Sequence, residues 1–288
     1  MRPSPESPPL TRAAQSVSVA AGRVSYRARM LPGFLIVGAQ RCGTTSMYRA
    51  LSQHPSVLKA VLHKGVHYFD IAYDRDLSWY RAHFPLLVRA RGVERATGVP
   101  AVTFESSPYY MFHPLAAERI ARDLPGVRLL VLVRDPVERA YSAHAHELAR
   151  GYETEPFERA LELEDARLAG EQERIIDEPG YCSHCHRHYA YRSRGKYIEQ
   201  LERLESLFGR ERIHVVDSGD FFSDPEATYE AVLSFLGLPP GGTPVFRHDN
   251  ARPRVAMPES LRSALNEQFV PSDERLAAWL AKEPSWRR

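Results

Sequence analysis

Two short segments carry the side chains best suited to holding anions. The first, Gly38-Ala39-Gln40-Arg41-Cys42-Gly43-Thr44-Thr45-Ser46, has the spacing G-x4-G-T-T. Its backbone amides can point inward onto a phosphate, its hydroxyls can add donors, and Arg41 brings a cation. A Walker A loop has this spacing but places Lys after the second glycine, where Thr44 stands here. The second segment runs from Arg134 to Ser142. A guanidinium donates bidentately to phosphate, and Ser142, about two helical turns on, can converge with Arg134 on one anion. The competing reading of that stretch is a Walker B strand holding Mg²⁺ through Asp135, as in a kinase or NTPase, but Arg134 separates the acid from the apolar run. Cys182-x-x-Cys185-His186, with His188, matches half of a zinc site, and its alternative reading is a loop bordering a substrate pocket. His144 and His146, two residues apart on one helix, do not share a face and make a poor metal pair.

Each anion-binding segment joins an expected strand to an expected helix. Phe34-Leu35-Ile36-Val37 is a continuous apolar run of the kind buried in a parallel sheet, and a helix should run on from Ser46 to about His54. Arg128 to Val133 is a second such strand, and Pro136 opens the helix after it. Further strands are expected at Val99–Phe104 and Ile213–Val216, and helices at Phe157–Glu173, Ile198–Phe208, Ala227–Leu236, Leu261–Phe269 and Asp273–Leu280. Residues 1 to 30 read as a flexible tail, with a short edge strand at Val17–Val24, and 31 to 288 as a single domain. Trp286-Arg287-Arg288 should fray.

Composition narrows the class. The 288 residues are 43% hydrophobic and 26% charged, enough for one large α/β domain. A net charge of +2 argues against a nucleic-acid partner. All but four of the 38 basic residues are arginine, which fits a GC-rich bacterial genome. Three cysteines do not make a disulfide framework. No apolar run reaches the ~18 residues of a membrane span, and no secretory signal is visible, so a cytoplasmic enzyme is expected.

The glycine-rich loop resembles the phosphosulfate-binding loop of the sulfotransferases, whose donor is 3′-phosphoadenosine 5′-phosphosulfate (PAPS), with Arg41 where a lysine is usual. Lys64-Gly65-Val66-His67-Tyr68-Phe69-Asp70, then Trp79-Tyr80 and Phe84-Pro85, is similar to the family's K-E-x-H-F-F, W-Y and F-P pattern. The family's general base is the Glu of that pattern; Gly65 stands in its place, so His67 and Glu105 become the candidate bases. Glu105-Ser106-Ser107-Pro108-Tyr109-Tyr110 resembles its E-x-[ST]-P-x-Y turn, and Ser106 replaces a lysine that meets anionic glycans in heparan-modifying members. A heavily sulfated polysaccharide is disfavoured accordingly.

The resemblance covers about Gly33 to Leu280. It implies a P-loop NTPase-like three-layer α/β/α fold with a central parallel sheet and PAPS across its carboxyl edge. It assigns the 5′-phosphosulfate to Arg41, Cys42, Gly43, Thr44, Thr45 and Ser46, with Arg41 steadying charge on the leaving oxygen and Lys64 on that oxygen or the sulfuryl group. The 3′-phosphate falls to Arg134 and Ser142, with Arg192, Arg194, Arg252 and Arg254 as further donor contacts. The expected reaction moves a sulfuryl group to a hydroxyl, or an amine, of a carbohydrate, lipid or small molecule. A phosphoryl transferase and a catalytically silent PAPS-binding protein are the alternatives.

Overall fold

The computed structural model describes residues 22–246 and 256–288; Arg252 and Arg254 lie outside the described residues. Five parallel strands form one sheet in the order β2-β3-β1-β4-β5: β1 Phe34–Gly38, β2 Val57–Lys59, β3 Val102–Ser106, β4 Arg128–Val133 and β5 Ile213–Asp217. Helices cover it in a three-layer α/β/α arrangement. Every residue of β1 is buried, as are Leu129 to Val133 of β4, which is why these strands read as unbroken apolar runs rather than alternating ones. Each such aliphatic side chain, fully removed from water, contributes about 1.5–3 kcal/mol.

β1 pairs with β3 on one side and β4 on the other; the chain leaves β1 for β2 on the β3 side and leaves β4 for β5 on the other, so the topological switch lies between β1 and β4. Ligands of open α/β sheets bind outside the carboxyl ends at such a point. Six elements matter most there: α1 Thr44–Leu51 after β1, α2 Ala116–Asp123 after β3, α3 Pro136–Ala149 after β4, α4 Phe157–Leu168, the short α5 His184–His188, and α6 Tyr197–Phe208. Helices α7 Ser218–Ser223 and α8 Pro225–Leu236 follow β5, and α9 Glu259–Leu280 packs against α6 and α3. A satellite core of Val137, Ala140, Phe157, Leu161, Leu265 and Phe269 joins α3, α4 and α9.

Several boundaries differ from expectation. Strand β3 extends to Ser106, which carries Glu105 into the sheet. The expected helix Phe157–Glu173 breaks at Gly170 (φ +73°) into α4 and a separate turn of helix, Glu171–Asp177. The two closing helices are one, α9, running through Pro271. Of the expected edge strand, residues 22–24 are described and are helical. The stretch after them, assigned to the tail, is docked: Arg29 Nη1 donates to Phe84 O at 2.7 Å, the Met30 amide to Pro85 O at 2.9 Å, and Met30 is buried.

The C-terminal turn is docked too, not frayed. The Ser285 amide and hydroxyl both donate to the Asp217 carboxylate, each at 2.6 Å, and Trp286 Nε1 donates to Asp273 at 2.8 Å. Arg288 and Lys282 pair with Asp220. That turn therefore closes on the carboxyl end of β5.

Candidate active site

The glycine loop is built by close packing. At Gly38 a Cβ would come within 2.6 Å of Met111, so only hydrogen fits there. Arg41 (φ 72°) and Gly43 (φ 82°) turn the chain back so that Gly43 becomes the N-cap of α1, and a Cβ on Gly43 would lie 3.2 Å from the Phe222 ring. The first amides of α1, which lack intrahelical partners, and the positive end of its dipole thus face one cavity of about 820 Å³. Cys42 faces the other way: it is fully buried, with its Sγ 3.5 Å from the Tyr197 hydroxyl and its carbonyl accepting from Ser218 at 2.6 Å. Ser46 is buried as well and does not line the cavity. Neither side chain lines the cavity.

Two cations divide that cavity. Lys64 Nζ donates to the Thr45 hydroxyl at 2.9 Å and the Thr44 hydroxyl at 3.3 Å, which plants its charge on the loop itself. Arg41 turns away from that point, its Nε donating to Ser142 Oγ at 3.0 Å. Arg134 lines the same cavity at the end of β4 and pairs with Glu138 at 3.4 Å. The two anion-binding segments thus meet through Arg41 and Ser142, and the guanidinium expected over the leaving oxygen lies at the Ser142 end instead. Asp135, the acid of the Walker B alternative, caps α3 by accepting from the amides of Val137 at 2.8 Å and Glu138 at 3.3 Å.

His67 also lines the cavity, and the buried Asp70 accepts from its Nδ1–H at 2.7 Å. Burial alone would lower the imidazole pKa, but the Asp70 carboxylate outweighs it and raises the value above the ordinary one. Burial likewise works to raise the Asp70 carboxyl, and the charge and hydrogen bond of His67 bring it below its usual range. Glu105 does not reach the cavity. It is fully buried and accepts from the Val66 amide (2.7 Å) and from the hydroxyls of Ser107 (2.6 Å), Tyr110 (2.7 Å) and Tyr80 (3.2 Å). With all its lone pairs spoken for, it anchors the His67 segment to β3. At Gly65 a Cβ would lie 2.5 Å from Ser106 O and 2.9 Å from Ser107 Oγ, so this backbone has no room for a glutamate.

A family model described as the sulfotransferase domain matches residues 31–250. The chain belongs to the sulfotransferase family. A crystal structure of a sulfotransferase from Alicyclobacillus acidocaldarius superposes with a TM-score of 0.67 at 30% identity, covering 90% of this chain and all of that one. Among curated proteins, a membrane-associated sulfotransferase of Dictyostelium discoideum is 24% identical over 89% of this chain and 67% of its own length. Human heparan sulfate glucosamine 3-O-sulfotransferase 5 is 29% identical over 74% of this chain and 55% of its own. The chain spans between 22% and 67% of the length of such relatives. The protein is therefore a sulfotransferase, and among the described residues no helix is long and apolar enough to cross a membrane.

In this sulfotransferase the two remaining arginines part company. Arg192 is tied to Glu164 and Asp165 of α4 and does not line the cavity. Arg194 does line it, holding the Gln40 amide oxygen of the glycine loop with Nη1 and the carbonyls of His186 (3.0 Å) and Arg187 (2.7 Å) with Nη2. The Cys182–His188 segment builds a wall and not a ligand cluster. His186 hydrogen-bonds the Tyr109 hydroxyl at 2.8 Å and His188 donates to Glu147 at 2.8 Å, while Cys182 is exposed. Burial, with Arg194 beside it, pushes His186 down to about 3, so the ring is neutral. Among the described residues no three His, Cys, Asp or Glu side chains could share a metal. Sequence reasoning missed Gln40, Tyr109, Arg150 and Arg187 as cavity residues. Gln40 lay inside the glycine loop and Arg187 inside the stretch read as bordering a pocket, and Arg150 continues the face of Ser142 and His146 at four-residue steps.

Proposed function

We propose that this sulfotransferase takes a sulfuryl group from PAPS and transfers it to a hydroxyl, or an amine, of a carbohydrate, lipid or small-molecule acceptor, and that residues 31–288 act as one catalytic domain. The observation that carries the reading is the bond between Arg41 and Ser142, which joins two anion sites in one cavity. A nucleotide with phosphates at both ends of its ribose needs that arrangement. The cradle at Gly43 and a cavity within the ~300–1,000 Å³ range of ligand pockets both fit such a molecule. When bound, PAPS supplies an activated sulfuryl group whose departure leaves negative charge on the phosphate side.

The amides of Gly43, Thr44 and Thr45, with the two threonine hydroxyls, hold the 5′ end, and Lys64 neutralises charge there. Arg134 and Ser142, with Arg41 between the sites, hold the 3′-phosphate. Arg194 positions the loop through Gln40 and does not touch the donor. His67 accepts the acceptor's proton, and Asp70 fixes its tautomer by taking the Nδ1–H, which leaves Nε2 as the base. Glu105 positions this segment. Three unpaired cysteines suit a reducing compartment, so the reading includes a cytoplasmic location.

Calorimetric titration with 3′-phosphoadenosine 5′-phosphate (PAP), beside ADP and Mg²⁺–ATP, tests the donor. PAP should bind more tightly than either, and Arg134→Ala should weaken PAP by about tenfold or more, the worth of a lost charge-assisted hydrogen bond. Equal or better binding of ATP would return the site to a phosphoryl transferase.

A further inference from the structure

The donor accounts for only part of the positive charge in the cavity. Lys64, Arg41 and Arg134 serve it, and Arg194 is buried under the loop. Two guanidiniums remain, Arg150 just past the end of α3 and Arg187 on α5, both lining the cavity. Eight residues of helix separate Arg150 from Ser142, about 12 Å, so this end lies well beyond the 3′-phosphate position. Arg187 has no side-chain hydrogen bond or ion pair among the described residues. Arg150 has one ion pair, a long 3.9 Å contact to Glu147 Oε2, and that oxygen already accepts from His188 at 2.8 Å. The one carboxylate lining the cavity among the described residues is Asp135, which is spent on capping α3. His67 and Tyr109 line the same cavity as Arg187.

Two cations lining one cavity, one without an ion pair among the described residues and the other with only a long contact to a carboxylate that His188 already engages, suit an anion. We propose that the acceptor carries a negatively charged oxyanion, a carboxylate or a sulfate ester, near the group that receives the sulfuryl, and that Arg150 and Arg187 bind it. This rests on the reading of the other end as the PAPS site. It also replaces the expectation drawn from Ser106: a lysine is missing there, but charge for an anionic acceptor is supplied from α3 and α5.

The test uses three matched probes on the full chain saturated with PAP: p-nitrophenyl β-D-glucoside, its 6-sulfate and p-nitrophenyl β-D-glucuronide. One or both anionic probes should bind about tenfold or more tightly than the neutral glucoside, and which of them does so tells carboxylate from sulfate. Arg150→Gln and Arg187→Gln, singly and together, should bring that affinity down to the glucoside's while PAP affinity stays unchanged. Equal binding of all three probes, no binding of any, or a preference that survives in the double variant would overturn the proposal. PAP is titrated first in the same samples, and repeating the probes without it reads the subsite by itself. Failure of PAP to bind would sink the donor reading, whereas an anion preference that ignores both arginines would sink only this one.

Discussion

At the scale of single residues the point of interest is a base displaced by two positions. Gly65 cannot carry a carboxylate, because its Cβ direction runs into the carbonyl of Ser106. In the proposed mechanism the task passes to His67, whose ring is backed by Asp70 at 2.7 Å. Because the Asp70 charge raises the imidazole pKa above its ordinary value, His67 is a base only once that raised pKa has been passed. The transfer rate should therefore climb with pH through a value above 6.5, and Asp70→Asn should move the inflection downward. His67→Ala should lower kcat by about 10²–10⁴-fold with PAP affinity unchanged. A pH–rate profile of the three proteins checks this, and a profile without the inflection in wild type would exclude His67. The pairing was invisible in the sequence for a definite reason. His67 and Asp70 stand three apart, but only the left-handed turn at His67 (φ 55°) and burial against β3 fix them together. Glu105 misled in the opposite way: a turn carboxylate looks available until β3 extends past it and four donors close on it.

Among the elements, those whose chemistry and scaffold share one continuous segment were readable. The loop after β1 and the turn after β4 each carry the side chains proposed to bind the donor's anions close to the strand that places them. Arg192 and Arg194, two residues apart, were not separable, because the choice between them is made by Glu164 on α4 and Gln40 in the loop, both distant in sequence. The C-terminal turn was also misjudged, since its partners, Asp217, Asp220 and Asp273, lie on other elements. Ser285 lines the cavity, and Trp286 packs on Tyr197, whose hydroxyl donates to the Arg134 carbonyl at 2.9 Å. Removing residues 285–288 should thus weaken PAP binding by several-fold or more, while the circular dichroism spectrum stays that of the full chain. Unchanged PAP affinity would show the turn to be decoration.

For the molecule as a whole, the parallel sheet and its switch beside β1 followed from buried apolar runs alternating with helices, and the solved relative at 30% identity has the same fold. The shape of the cavity did not follow, because its walls come from segments more than a hundred residues apart, Arg41 against Ser142 and Arg187. Such a site couples ligand to fold. PAP at a hundred times its dissociation constant should stabilise the protein by about 2.7 kcal/mol, a rise of roughly 5 °C in Tm, which differential scanning fluorimetry reads directly. ATP at the same concentration should do less, and a larger shift with ATP would contradict the donor assignment.

The clamped C-terminal turn has a practical side. Arg288 is held on Asp220, and three residues before it Ser285 forms part of the cavity wall. Anything fused after Arg288, a purification handle included, starts its path three residues from the cavity wall. A tag at that end would tug on the ligand site with every thermal excursion. Two preparations of the same enzyme, tagged at opposite ends, would then report different donor affinities without differing in any residue of the protein itself.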